Sequence, residues 1–191
     1  MTGPFRILVV SVGNDCRSPL AERHLRHKFD LVLAAAADTV DISSAGVRAL
    51  EGAPMDALAE KELKRLGGAA DGFVARQLTR AMMREADLVL AVTRALRSRA
   101  LEDEPAALRR TFTLREFATL ARLLQPERSP AAFVCKAAGH RWAVGSEDYD
   151  LADPTEGARR RHHEVAELIG EASTAITDLW QAMVSATGKA V

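Results

Sequence analysis

Cysteine is scarce in this chain, with Cys16 and Cys135 the only two in 191 residues. Two thiols cannot build a disulfide scaffold or a cysteine-rich zinc site, and such sparing use points to a reducing compartment. Charge of one sign is missing as well. Lys and Arg number 26, as do Asp and Glu, for a formal net charge of zero. No global field therefore draws the chain to nucleic acid or to an anionic membrane surface, and any anion site must be local. No apolar run reaches membrane-spanning length, and the opening MTGPFRILVV lacks the length and flanks of a signal peptide. A cytoplasmic protein with neither nucleic acid nor membrane as partner is expected.

What is present reads as one domain over residues 1–191, long enough to bury a sizeable core. Arg6 to Val12 is aliphatic and β-branched throughout, as in a central parallel strand buried on both faces. A polar, glycine-containing turn follows. Pro19 then sits where a first-turn proline is tolerated, and Ala21, Leu25 and Phe29 recur every four residues, so a helix is predicted from about Ser18. TVDISSAG predicts a second strand ending at Gly46, and Met55, Leu58, Leu63 and Leu66 mark a helix closed by the following Gly-Gly. A short helix near Thr79 to Ala86, a strand in DLVLAVT, a helix in TRALRSRALE, a strand in RTFTL and a helix in REFATLARLL complete the alternation. AAAAD reads as loop or frayed helix. The stretch from about 125 to 152 reads as a long irregular loop, and a loop of that length in a small domain is usually functional or disordered. A last helix from about Gly157 carries Val165, Leu168, Ile169, Ala172, Ile176, Leu179 and Met183 on one stripe. Strands alternating with helices predict an α/β domain with a doubly wound parallel sheet.

In open α/β sheets, ligands bind beyond the carboxyl ends of strands, where a following helix points its positive end. Ser11 to Ser18 occupies that place. Gly13 and Asn14 tolerate left-handed backbone, so the loop can curl until successive N–H groups point inward as an anion nest. Arg17 adds a permanently charged fork that matches two phosphate-type oxygens. A phosphoryl dianion is the ligand this arrangement predicts, with a phosphate or sulfate ion as its simplest occupant.

The loop VSVGNDCRSPLAE resembles the phosphate-binding loop of the low-molecular-weight protein tyrosine phosphatases, whose pattern is Cys, five residues, Arg, then Ser-Pro. SSAGVRALEGAPMD, RQLT, EADLVLAVT and LREFA resemble successive family segments, particularly bacterial ones, and Asp153-Pro154 falls where the family places its general acid. The resemblance implies a three-layer flavodoxin-like fold, with a four-stranded parallel sheet between helices, and a two-step phosphomonoester hydrolysis needing no cofactor or metal. It puts Ser11 in the nucleophile's position. Arg17 and the backbone of Val12, Gly13, Asn14, Asp15, Cys16 and Arg17 would hold the equatorial oxygens. Asn14 would brace the loop, Ser18 would hydrogen-bond residue 11, and Asp153 would protonate the leaving oxygen. Cys16 matches a second cysteine that in some members protects the nucleophile as a disulfide, and here it has no thiol to pair with.

A cysteine among inward N–H groups, at a helix N-terminus and beside an arginine, ionises well below its free pKa of ~8.5 and attacks phosphorus. Serine does not follow it there, because an alcohol needs an adjacent general base. None is evident. His24 is expected to face solvent, and His162 and His163 follow an arginine run expected to form a solvated face. The chain should therefore bind phosphate-like groups and turn them over very poorly, as a substrate trap does. Retention of Cys16, Arg17, Ser18 and Asp153 favours a disarmed phosphatase. The alternatives are a natural pseudophosphatase that recognises phosphorylated partners and an enzyme acting on a phosphorylated small molecule, with Asp153 as acid or base.

Phosphotyrosine recognition calls for aromatic walls. In the segment that often carries one in the family, Leu50 is the bulkiest residue, and Thr155 and Glu156 follow Pro154 where aromatics are common. Leu50 and Thr155 are the expected walls, which leaves a phosphorylated protein and a phosphorylated small molecule both in view. Phe133, Trp142 and Tyr149 could rebuild a wall from the long loop, and Glu156 or Asp150 could stand in for the acid. Cys135 and His140 are too few for a metal site.

Overall fold

The aliphatic run near the N-terminus forms the strand β1 (Phe5–Ser11), in which every residue except Arg6 is buried. The computed structural model describes residues 3–145, 148–154 and 159–187. β1 pairs in parallel with β2 (Val40–Gly46) on one side and β3 (Leu88–Ala91) on the other, and β4 (Thr111–Thr113) adds to β3. The strand order is β2-β1-β3-β4. The chain leaves β1 in one direction to reach β2 and returns past it to reach β3, so the carboxyl end of β1 is the topological switch point of the sheet.

Alternation along β1 sends Ile7 and Val9 to one face and Leu8 and Val10 to the other. The first face carries the larger core, built with α1 (Arg17–Leu33), α5 (Leu114–Leu123) and the long α7 (Arg159–Thr187). Trp180 of α7 meets Phe5 and Phe29 edge-on, with ring centroids 5.5 and 5.7 Å away. The opposite face is thinner: Leu8, Val10 and Val89 pack on Met83 of α3 (Arg80–Glu85) and Ala100 of α4 (Arg94–Asp103). α2 (Ala57–Arg65) starts at Asp56, whose carboxylate accepts the amides of Leu58 and Ala59. This is the three-layer flavodoxin-like architecture expected from the sequence.

Two expectations are corrected. The stretch read as irregular contains α6 (Pro130–Gly139) and a 3-10 turn at Arg141–Val144. Its helix signals are present in the sequence: Ser129 caps the Ala132 amide, Pro130 opens the first turn, and Phe133, Val134 and Ala137 form the buried stripe. His24 does not face solvent, since only 4% of it is exposed. It follows Leu20 and Ala21 by one turn and so shares their buried face, which brings the ring beside Gly170 of α7. Its Nδ1 has no hydrogen-bond partner.

Burial, with the positive charge of His27 and Lys28 next, lowers the His24 pKa from 6.5 to about 4. Between those values the unfolded chain binds a proton that the native state refuses, so stability is full above pH 6.5 and falls as pH drops toward 4. Urea denaturation at pH 7 and pH 4 should show the parent losing about 3 kcal/mol more than His24→Leu, the equivalent of the displaced pKa. Parallel losses in the two proteins would show that the buried ring does not titrate in this way.

Candidate phosphate-binding site

The loop between β1 and α1 closes around a cavity of about 160 Å³, lined by Ser11, Val12, Gly13, Asp15, Cys16, Arg17 and Asp153. Against the ~30 Å³ share of a water molecule in the liquid, this admits a tetrahedral oxyanion. Asn14 takes the left-handed turn, at φ 56°, and Gly13 does not. No side chain caps α1. The amides of Gly13, Asp15 and Cys16 are taken up by no hydrogen bond among the described residues, which leaves donors and the positive helix end for an anion.

Asn14 is fully buried and joins four segments of chain. Its Nδ2 donates to Ser18 Oγ at 2.9 Å and to Ser44 Oγ at 2.7 Å, and its Oδ1 accepts the Arg76 amide at 2.8 Å. Ser44 in turn donates to the carboxylate of Glu22, and Arg76 donates through Nη2 to the Ser44 carbonyl. Burial pushes the Glu22 carboxyl up, partly offset by the Ser44 bond and the nearby arginines. Ser44, Glu22 and Arg76 carry no signal of this in the sequence: Ser44 reads as part of a strand, Glu22 as a helical residue and Arg76 as part of a connecting segment. Gly46 is also part of the site. A Cβ there would lie 2.5 Å from the Val12 carbonyl oxygen and 2.9 Å from the Asn14 amide, so only glycine lets the loop settle on the end of β2.

Ser11 is 3% exposed and its Oγ lies 2.6 Å from Ser18 Oγ and 3.2 Å from the Asn14 amide, which donates to it. No carboxylate or imidazole hydrogen-bonds to Ser11 among the described residues. Cys16 cannot replace it as nucleophile: burial, then the Asp56 and Asp15 carboxylates, push its thiol up to about 12, so it stays protonated. Arg17, 7% exposed, donates from Nη1 to the Leu151 carbonyl at 3.0 Å and from Nη2 to Asp153 Oδ2 at 2.6 Å. Asp153 is held over the loop because the Leu151 amide docks on the Val92 carbonyl just beyond β3, at 2.9 Å.

A second, wider cleft of about 590 Å³ opens beside Arg17 and Asp153, with Val47, Arg48, Thr93, Ala95, Leu96 and Arg99 among its walls. Leu50, expected as a wall, is 77% exposed and lines neither cavity. Val47 takes the place because its amide and that of Arg48 donate to the Ser11 and Val12 carbonyls, which stretches this segment across the loop. Thr155 and Glu156 lie outside the described residues. Phe133 and Tyr149 are buried packing residues, Trp142 is exposed, and Asp150 accepts the Arg94 amide. The arginine run before α7's first buried turn is exposed as expected, but His162 is not: only 5% of it is exposed.

The family model of the low molecular weight phosphotyrosine protein phosphatases matches residues 6–127. The protein-tyrosine-phosphatase Etp of Escherichia coli is 41% identical over 86 residues, 45% of this chain and 53% of Etp, so the chain spans about half the length of that relative. The protein-arginine-phosphatase of Geobacillus stearothermophilus is 37% identical over 114 residues, 60% of this chain and 72% of that protein. The solved structure of the YwlE arginine phosphatase from the same organism superposes with a TM-score of 0.71 at 27% identity over 98% of both chains. Vibrio vulnificus Wzb in complex with benzylphosphonate gives 0.68 at 25% identity over 92% of this chain and 99% of that one. A serine-for-cysteine YwlE mutant with a phosphorylated active-site serine gives 0.68 at 25% identity over 91% of this chain and 93% of that one.

Two outcomes follow from this geometry. Gly46→Ala should lower stability by about 1–3 kcal/mol, the usual range for overpacking against fixed backbone, and abolish phosphate binding by calorimetry. Asp153→Asn removes a like charge and a competitor for Arg17, and should tighten inorganic phosphate binding about tenfold, equivalent to one pKa unit of charge interaction.

Proposed function

Because the chain belongs to the low molecular weight phosphotyrosine protein phosphatase family, we propose that it takes the phosphoryl group of a phosphorylated substrate into the Ser11–Ser18 loop and, with serine as residue 11, holds it with little turnover. The observation that carries this reading is the pairing of an assembled oxyanion cradle with an alcohol that has no base. Ser11 Oγ touches only Ser18 Oγ and the Asn14 amide among the described residues.

The ion pair between Arg17 and Asp153 supports roles for both. An entering dianion competes with Asp153 for Nη2 of Arg17. Once displaced, the carboxylate stands beside new negative charge, which favours its protonated form and arms it as the acid for the leaving oxygen. Attack by Ser11 would form a bond from Oγ to phosphorus and break the bond to the leaving oxygen, which takes the proton from Asp153, while the Oγ proton passes to a non-bridging oxygen of the phosphoryl group, the only basic atom beside it on this reading. The product, a phosphoserine, is itself a phosphomonoester, the class with the highest uncatalysed hydrolytic barriers. The YwlE mutant with a phosphorylated active-site serine supports stalling at this stage.

The wide cleft supports a substrate other than a flat aryl phosphate. No aromatic residue lines it among the described residues; Val47, Ala95 and Leu96 give it an aliphatic wall, and Arg48 and Arg99 add positive charge. A phosphorylated protein segment or small molecule carrying a second anionic group fits that chemistry.

Ser11→Cys, assayed on an activated aryl phosphate, should raise turnover by at least ~10³, the scale of loss when a nucleophile is removed from a working site. Arg17→Lys should abolish the gain and Asp153→Asn should reduce it. The parent incubated with the same ester should gain the mass of one phosphoryl group on Ser11 or bind without reacting. Equal hydrolysis by the serine and cysteine forms would overturn the trap reading, and product formed from the parent without phosphate release would favour the small-molecule enzyme.

A further inference from the structure

At the α1 end of the phosphate loop, three side chains from three separate elements converge. Cys16 stands at the start of α1, Asp56 caps α2, and His162 lies in the first turns of α7. The Cys16 Sγ, a ring nitrogen of His162 and a carboxylate oxygen of Asp56 all lie within 4.8 Å of one another. His162 Nε2 is 3.4 Å from Asp56 Oδ1, yet neither ring nitrogen makes a hydrogen bond among the described residues, although the residue is only 5% exposed. Buried polar atoms without partners are uncommon, and an ion is one of the few things that explains them.

We propose that Cys16, Asp56 and His162 form a site for a zinc-class divalent cation, with a fourth position for water, which ties α1, α2 and α7 together beneath the phosphate loop. Thiolate, imidazole and carboxylate are the mixed donor set that zinc takes, unlike the all-oxygen sets of magnesium and calcium. Zinc bonds of ~2.0–2.3 Å in tetrahedral array put ligand atoms roughly 3.3–3.6 Å apart; His162 Nε2 and Asp56 Oδ1 already stand at 3.4 Å, and no pair of the three is beyond 4.8 Å.

The surroundings suit a cation. Asp15 and Asp56 both place negative charge beside the thiol, and binding would exchange the thiol proton, released to solvent, for the metal–sulfur bond. Asp56 is oriented in advance, because its Oδ1 accepts the Leu58 and Ala59 amides at 2.9 Å each, and Oδ2 receives no hydrogen bond among the described residues. Its side chain is 35% exposed, which gives the ion a route from solvent. The inference does not rest on the phosphatase reading, since it involves neither Ser11 nor the side chain of Arg17.

The test is cobalt titration of the reduced full chain in a Cys135→Ser background, which silences the exposed second thiol. One Co²⁺ per chain should bind with tetrahedral d–d bands and a thiolate-to-cobalt charge-transfer band, and Zn²⁺ should displace it. Cys16→Ser should lose the charge-transfer band. His162→Ala should weaken binding by at least ~100-fold, beyond the loss caused by disturbing an outer-shell group. Asp56→Asn, which keeps the helix cap, should weaken it about tenfold or more. Zinc should raise the melting temperature of the background protein and not that of the His162→Ala variant. Absence of a sulfur charge-transfer band at saturating cobalt, including binding at surface histidines alone, would overturn the site, as would unchanged affinity in His162→Ala. Should Cys16→Ser fail to fold, His162→Ala and Asp56→Asn decide the matter, because neither replaces a residue of the loop.

Discussion

The geometry of the phosphate loop depends on the buried side-chain amide of Asn14. Its Nδ2 has two protons and both are committed, to Ser18 and to Ser44, while its oxygen accepts the Arg76 amide. That pattern allows only one orientation of the amide. With the side chain so held, the backbone at Asn14 keeps its left-handed turn, and the residues that follow it, Asp15, Cys16 and Arg17, line the cavity. The bonds are made in a dry interior, where each is stronger than in water and each omission more damaging.

The loop so fixed supplies positive potential by three routes, namely unpaired amides, the start of an uncapped helix and the Arg17 guanidinium. Within the chain Arg17 is met by Asp153 and the Leu151 carbonyl. On the proposed reading, an entering anion would exchange with the Asp153 carboxylate at Arg17, so that the buried guanidinium is not left unpaired. Residue 11 is outside this economy of charge: an alcohol can sit among the same donors, but they cannot strip its proton as they would a thiol's.

Much of the architecture was legible because the periodicities are clean. Among the described residues, every strand and α-helix other than α6 stands close to where alternation and four-residue spacing put it, and the proposal of an anion site in the loop starts from Gly13, Asn14, Arg17, Ser18 and Pro19 within seven consecutive residues. α6 is hidden in the sequence because proline and glycine in its flanks are also the marks of a loop, although Ser129 and Pro130 are themselves a helix start. His24 and His162 were misjudged for another reason. Polar type argues for exposure, whereas burial is decided by the neighbouring element, here α7 packed beside His24 at Gly170 for the one and the Cys16–Asp56 cluster for the other.

By itself the sequence determined the strand–loop–helix unit and the proposal of an oxyanion site in its turn, because backbone freedom, helix start and guanidinium charge all lie within eight consecutive residues. Only the tertiary structure decided that Val47 and not Leu50 walls the cleft, that Gly46 must lack a side chain, that Asp153 reaches Arg17, and that Cys16 is shut away from catalysis. Each of these turns on atoms from distant segments meeting within a few ångströms, and local spacing carries no information about what packs across from a residue.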